Sequence, residues 1–205
     1  MNKKIFGLLA LSFMAAMTTE VQADTGALPA ISIAAHELGE ARPVLAWTKF
    51  CERYPQECTT NNAEPAQIAL TPRSWQTIVG VNRKVNGAVE PMTDLEHWGT
   101  PDRWDLAEDG IGDCEDFQLL KRKMLADAGL PRRAMRMTVV IDEKGEGHAV
   151  LMIRTDRGDL ILDNKTNVVL PWHRTGYIFV KREGQSGSAW VSLGGATAPV
   201  MTANR

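Results

Sequence analysis

Apolar positions along the chain follow a helical period in its first half and a strand-like one in its second. From Thr71-Pro72 the residues Trp75, Ile78, Val79, Val81 and Val85 recur near helical spacing. This predicts a helix with Thr71 as N-cap and Pro72 at its first position, ending near Asn86-Gly87. A second helix is predicted over Cys114 to Ala128, where Phe117, Leu120, Met124 and Ala128 share one face and Gly129 then Pro131 stop the run. Strand-like runs follow over Met135 to Asp142, His148 to Thr155 and Asp159 to Asp163. They are separated by Glu143-Lys-Gly-Glu-Gly147 and Asp156-Arg-Gly158, which read as hairpin turns. Tyr177 to Lys181 supplies a fourth strand.

Ahead of the first long helix, a short amphipathic segment is expected from Ala41 to Tyr54, closing at Pro55. Residues 24–42 are small and Ala-rich and read as a loosely docked leader. Residues 88–112 carry Pro91, Gly99, Pro101, Gly110 and Gly112 with Trp98 and Trp104, a long connection rich in turns and of the length at which loops carry function. The Gly/Ser/Ala-rich segment 184–205 is expected to fray. No internal repeat and no nucleotide-binding glycine motif occurs. The pattern defines an α+β class, with N-terminal helices and an antiparallel sheet packed on the Cys114 helix, in one domain over 43–183.

The first residues change where the protein is expected to work. Lys3 and Lys4 precede an apolar run from Ile5 to Met17, followed by Thr-Thr-Glu-Val-Gln-Ala23. That is the layout of a secretory signal peptide over 1–23. The run falls short of the roughly 20 residues a spanning helix needs, so no stable membrane insertion is expected after cleavage. A periplasmic location follows. The composition, 44% hydrophobic and 23% charged over 205 residues, is that of a globular chain able to bury a core. A formal charge of −2 gives no field for nucleic acid, which is excluded as a partner.

Export lets thiols pair, and there are three cysteines. Cys51 and Cys58 are close enough for a short disulfide, whereas Cys114 lies far off. Spacing alone leaves Cys58–Cys114 as the alternative pairing.

Three residue types needed for thiol chemistry stand at element boundaries in the order Cys114, His148, Asp163. A thiol nucleophile must ionise, and a helix N-terminus favours the anion through free N–H groups. Its partner imidazole must be oriented from the other nitrogen, which a carboxylate on a neighbouring strand can do. If the strands of His148 and Asp163 pair as a hairpin, both residues meet at one edge of the sheet. Taken singly, each residue has a bland role: a buried thiol, a core histidine, a turn aspartate. Their joint placement favours a Cys-His-Asp enzyme.

At these residues the sequence resembles a family. Gly112-Asp-Cys-Glu-Asp-Phe117, Gly147-His-Ala-Val-Leu151 and Leu160-Ile-Leu-Asp-Asn164, with Phe50-Cys51 to Cys58 and Trp98-Gly-Thr-Pro101, resemble the bacterial transglutaminase-like cysteine proteinases. The resemblance implies a papain-like/transglutaminase-like fold, with Cys114 as nucleophile, His148 as general base and Asp163 as its orienter. It also implies a protein substrate, a surface adhesin released as biofilms disperse, and an inner-membrane regulatory protein as a partner.

Asp113, Glu115 and Asp116 flank the thiol, and negative neighbours oppose its ionisation. They are either dipole-complementing acids of a first helical turn or ligands for a hard cation that offsets their charge. The resemblance implies calcium dependence through acids beside the cysteine, which nominates Asp113 and Glu115 as Ca²⁺ ligands and Asp116 as a further candidate. His36, His97 and His173 are read as structural or surface residues, and no spacing suits zinc. The expected activity is therefore an exported cysteine endopeptidase. Its rivals are a transglutaminase or other acyl transferase on the same triad, and a non-catalytic periplasmic binding protein.

Overall fold

The computed structural model describes residues 27–185 and 189–194. The expected signal peptide over 1–23 lies outside the described residues, as do 24–26, 186–188 and 195–205. In chain order the elements are β1 (Glu40–Ala41), α1 (Leu45–Arg53), α2 (Pro55–Cys58), α3 (Pro72–Ala88), β2 (Glu90–Pro91), α4 (Asp94–Trp98), β3 (Ile111–Gly112), α5 (Cys114–Asp127), β4 (Met135–Ile141), β5 (Gly147–Thr155), β6 (Gly158–Leu162), β7 (Leu170–Pro171), β8 (Ile178–Glu183) and β9 (Trp190–Ser192).

Among the described residues, seven strands form one antiparallel sheet in the order β1-β9-β8-β4-β5-β6-β7. The alternation of β4, β5 and β6 sends Met137, Val139, Leu151, Ile153, Leu160 and Leu162 to one face. There they meet Trp47 and Phe50 of α1, Ile78 of α3, and Leu119 and Leu125 of α5. Each large apolar side chain so buried contributes about 1.5–3 kcal/mol. The helices form as the sequence predicts. Thr71 accepts from the Ser74 amide in a capping box with Pro72 at the first position of α3, and Gly129, with φ of +88°, follows the end of α5.

On the other face of the sheet Val140, Val150, Met152, Ile161 and Phe179 meet Ala35 of the leader together with Trp172, Tyr177 and Leu193, and the leader is hydrogen-bonded to the sheet. The Ser32 amide donates to the Arg157 carbonyl at 2.9 Å, and the Ala35 amide donates to Asp159 Oδ2 at 2.9 Å. Arg182 bridges Asp159 at 3.1 Å and Glu37 at 2.7 Å. Asp159 and Arg157 give its backbone polar partners, the latter by donating to the Pro29 carbonyl at 3.0 Å, while the buried Arg182 holds the Glu37 side chain. Its end, β1, pairs with β9, so part of the segment expected to fray is a strand anchored by the fully buried Trp190.

The long connection 88–112 is closed at its base by parallel pairing of β2 with β3. Between them α4 is capped at both ends, by Thr93 accepting from the Glu96 amide and by Gly99 at φ +67°. The closure carries residues of α4 back to the start of α5. Cys51 and Cys58 form a disulfide, and Cys114 is a free, buried thiol, which resolves the two pairings in favour of the shorter loop. No helix among the described residues is long and apolar enough to cross a membrane.

Candidate active site

The site is built where α5 abuts β5. Gly112 must lack a side chain, because a Cβ there would lie 2.7 Å from the Cβ of Asp116. That close approach lets Asp113 cap α5, with Asp116 accepting from the Asp113 amide at 3.4 Å in return. Cys114 is then the first helical residue and is 1% exposed. The Ala149 amide of β5 points at its sulfur, so the thiol lies against the residue next to His148.

Helix position alone would favour the thiolate. Burial here pushes the thiol well above its ordinary range, and the charges of Glu115 and Asp113 push it further. Its proton is donated to Glu115 Oε2 at 3.1 Å. Among the described residues, no hydrogen bond joins Cys114 to His148.

His148 is wholly buried. Its Nε2 bonds Asp163 Oδ1 at 2.9 Å across neighbouring strands, while its Nδ1 has no partner. Burial alone pushes the Asp163 carboxyl up, but the hydrogen bond and charge of His148, the Tyr177 hydroxyl and the Lys165 amide outweigh it and hold the group down at about 2. The sequence-predicted His–Asp contact is thus made, and Tyr177 is an addition to it. Tyr177 donates to Asp163 Oδ2 at 2.6 Å; in sequence it was only the opening of a strand.

The acidic residues divide into two groups. Oxygens of Asp94, Asp113 and Asp116 lie within 4.8 Å of one another, as do ligand atoms of Asp113, Cys114 and Glu115. The three acids singled out in the sequence therefore do not converge on one point. Asp94, from the long connection, joins Asp113 and Asp116, while Glu115 sides with the thiol. Burial pushes Asp94 up to about 7, helped by the nearby charge of Asp113. Asp113, Glu115 and Asp116 are raised by burial as well, with mutual repulsion raising Glu115 and Asp116. Asp94 Oδ1 and Asp113 Oδ1 are buried without a hydrogen-bond donor. Three hard oxygen donors, two with unmet bonding capacity, fit a cation of the calcium type.

Lys121, two turns along α5 from the thiol, is also unforeseen. Its ammonium is completely buried with no hydrogen-bond partner, 5.9 Å from the centre of the Phe117 ring. Burial pulls it down to about 7 against the attraction of Asp163. His97 bonds Asp109 at 2.9 Å and stacks on Trp98, over which Arg103 sits at 4.0 Å.

A free thiol heading a helix that packs on an antiparallel sheet, with a histidine and an aspartate joined on the adjoining strands, defines a cysteine protease of transglutaminase-like architecture. The chain belongs to the bacterial transglutaminase-like cysteine proteinases, whose family profile matches residues 38–198. It is similar to the solved structure of Legionella pneumophila LapG, at 26% identity and a TM-score of 0.51, over 60% of this chain and 71% of that one. The EGTA-treated form of that protein matches at 26% identity and a TM-score of 0.50, over 58% and 67%. Its calcium-bound form matches at 20% identity and a TM-score of 0.50, over 75% and 92%. No curated protein sequence matches the chain.

Proposed function

We propose that the chain is an exported, periplasmic cysteine endopeptidase in which Cys114 attacks, His148 moves the proton and Asp163 orients the imidazole. One observation carries this reading. His148 spends Nε2 on Asp163 and keeps a buried Nδ1 free, one residue from the amide that faces the Cys114 sulfur. In the reaction the thiol turns from Glu115 toward Nδ1 and gives up its proton there. The thiolate adds to the scissile carbonyl, and the Cys114 amide at the helix head stabilises the oxyanion. Nδ1 then protonates the leaving amine, and a water deprotonated by the same nitrogen hydrolyses the thioester.

Asp94, Asp113 and Asp116 would hold Ca²⁺, in keeping with LapG having been solved both calcium-bound and EGTA-treated. Bound there, the ion would offset the negative charge that opposes thiolate formation. The proposed substrate is a cell-surface adhesin, with an inner-membrane protein as regulator. Purified protein is incubated with surface proteins of its own source, with and without Ca²⁺, and new N-termini are sequenced. Calcium-dependent cleavage that Cys114→Ala abolishes supports the reading. Wild-type rates in that variant, or a product extended by an amine instead of water, overturn it.

A further inference from the structure

Asp163 is 3% exposed, and both of its oxygens are engaged. Oδ1 takes the imidazole at 2.9 Å and the Lys165 amide at 3.0 Å. Oδ2 has the Tyr177 hydroxyl at 2.6 Å. The phenol ring also stands edge-on to the imidazole, centroids 5.8 Å apart at 82°. We infer that Tyr177 is a positioning residue for the His148–Asp163 pair, its hydroxyl fixing the rotation of the carboxylate and its ring fixing the tilt of the imidazole. The inference rests on the thiol-protease reading and adds to it the group that holds the relay in place.

The topology explains why one side chain can do both. Tyr177 directly precedes β8, where Ile178 lies opposite Ile141 of β4, which in turn lies opposite Gly147 of β5. Asp163 directly follows β6. The phenol therefore reaches across the same end of the sheet, over the start of β5 and its histidine, to the end of β6. Without it, Oδ2 would be a buried carboxylate oxygen with no donor, which is unfavourable for any polar group and more so for a charged one. The carboxylate would then turn to find another partner, taking Oδ1 out of line with Nε2. A 2.6 Å O–H···O contact is in the range of charge-assisted bonds, and burial, reinforced by the hydrogen bond and charge of Asp163, keeps the phenol protonated above the ordinary tyrosine range.

The test reads the hydrogen-bond chain itself, in Ca²⁺-containing buffer. In Tyr177→Phe the low-field proton resonance of His148 Nε2–H should move relative to wild type, because the carboxylate it faces has lost a donor. Alkylation of Cys114 by iodoacetamide, which forms the S–C bond, expels iodide and sends the thiol proton to the imidazole, should slow about tenfold, the equivalent of one hydrogen bond to a charged group. A folded Tyr177→Phe protein with an unmoved resonance and wild-type alkylation overturns the inference. Should that variant fail to fold, Tyr54→Phe leaves Tyr177 as the sole tyrosine of the two. Ultraviolet titration of that protein should show no phenolate up to about pH 11, above the ordinary value near 10; normal ionisation overturns the inference. These readouts do not depend on cleavage, so a protein with a shifted resonance and no protease activity would sink the functional reading alone.

Discussion

Replacing Lys121 with methionine should stabilise the protein, although it removes a charge from beside the candidate site. The ammonium is wholly buried and has no hydrogen-bond partner. Burial lowers it from 10.5 to about 7, with the charge of Asp163 too weak to compensate. A gap of that size corresponds to roughly 5 kcal/mol for holding the charged form inside, at 1.36 kcal/mol per unit. Local relaxation and water entry reduce it, so Lys121→Met, of similar length and apolar, should gain about 2–4 kcal/mol at pH 6. The sign with pH is fixed. Between pH 7 and 10.5 the unfolded chain holds the lysine proton and the folded one does not, so wild-type stability rises through that window. The penalty is full below pH 7, and the advantage of the variant should shrink by more than half at about pH 9.5. Urea unfolding followed by tryptophan fluorescence, at both pH values for both proteins, measures it. A variant less stable than wild type at pH 6, or a gap that does not change with pH, refutes the argument.

Further outcomes follow from the site. Ca²⁺ should raise the melting temperature of wild type, and Asp94→Asn should abolish that rise, since it removes one of three clustered carboxylates; an unchanged shift in calorimetry would place the ion elsewhere. Gly112→Ala should destabilise by about 1–3 kcal/mol and weaken Ca²⁺ binding, because its Cβ would strike Asp116; wild-type values for both would refute the close approach. Native protein should show one alkylatable thiol without reductant and three with it, given Cys51–Cys58 and the free Cys114. Cys51→Ser with Cys58→Ser should cost about 2 kcal/mol in the same urea assay, and no change would mean the small loop constrains nothing.

Local signals reached far into this fold. Thr71-Pro72, Gly129 and Pro131 delimited α3 and α5 because caps are chosen by residues in the immediate neighbourhood. The two turns around Gly145 and Gly158 placed β4, β5 and β6, and so the His148–Asp163 contact. What stayed illegible depends on parts of the chain that meet only in three dimensions. Asp94 looked like one acid among many in a turn-rich connection until the β2–β3 pairing brought it to Asp113 and Asp116. Lys121, inside Lys121-Arg-Lys123, reads as solvated helix surface, and only the packing around α5 makes it internal. The leader looked featureless because its partners, Arg157, Asp159 and Arg182, lie far along the chain.

The pairing of β1 with β9 also bears on the order of assembly. Glu40 opposes Val191 and Ala41 opposes Trp190, so one edge of the sheet is made from residues about 150 positions apart, the kind of distant contact that is late and slow to form. The hairpins of β4, β5 and β6 can nucleate locally, but the margin that stitches the two ends together waits until residues 190–192 have been synthesised. A nascent chain stopped short of them would already hold Cys114, His148 and Asp163 inside the sheet and its helix, but β8 would be an open edge and β1 would have no strand to pair with.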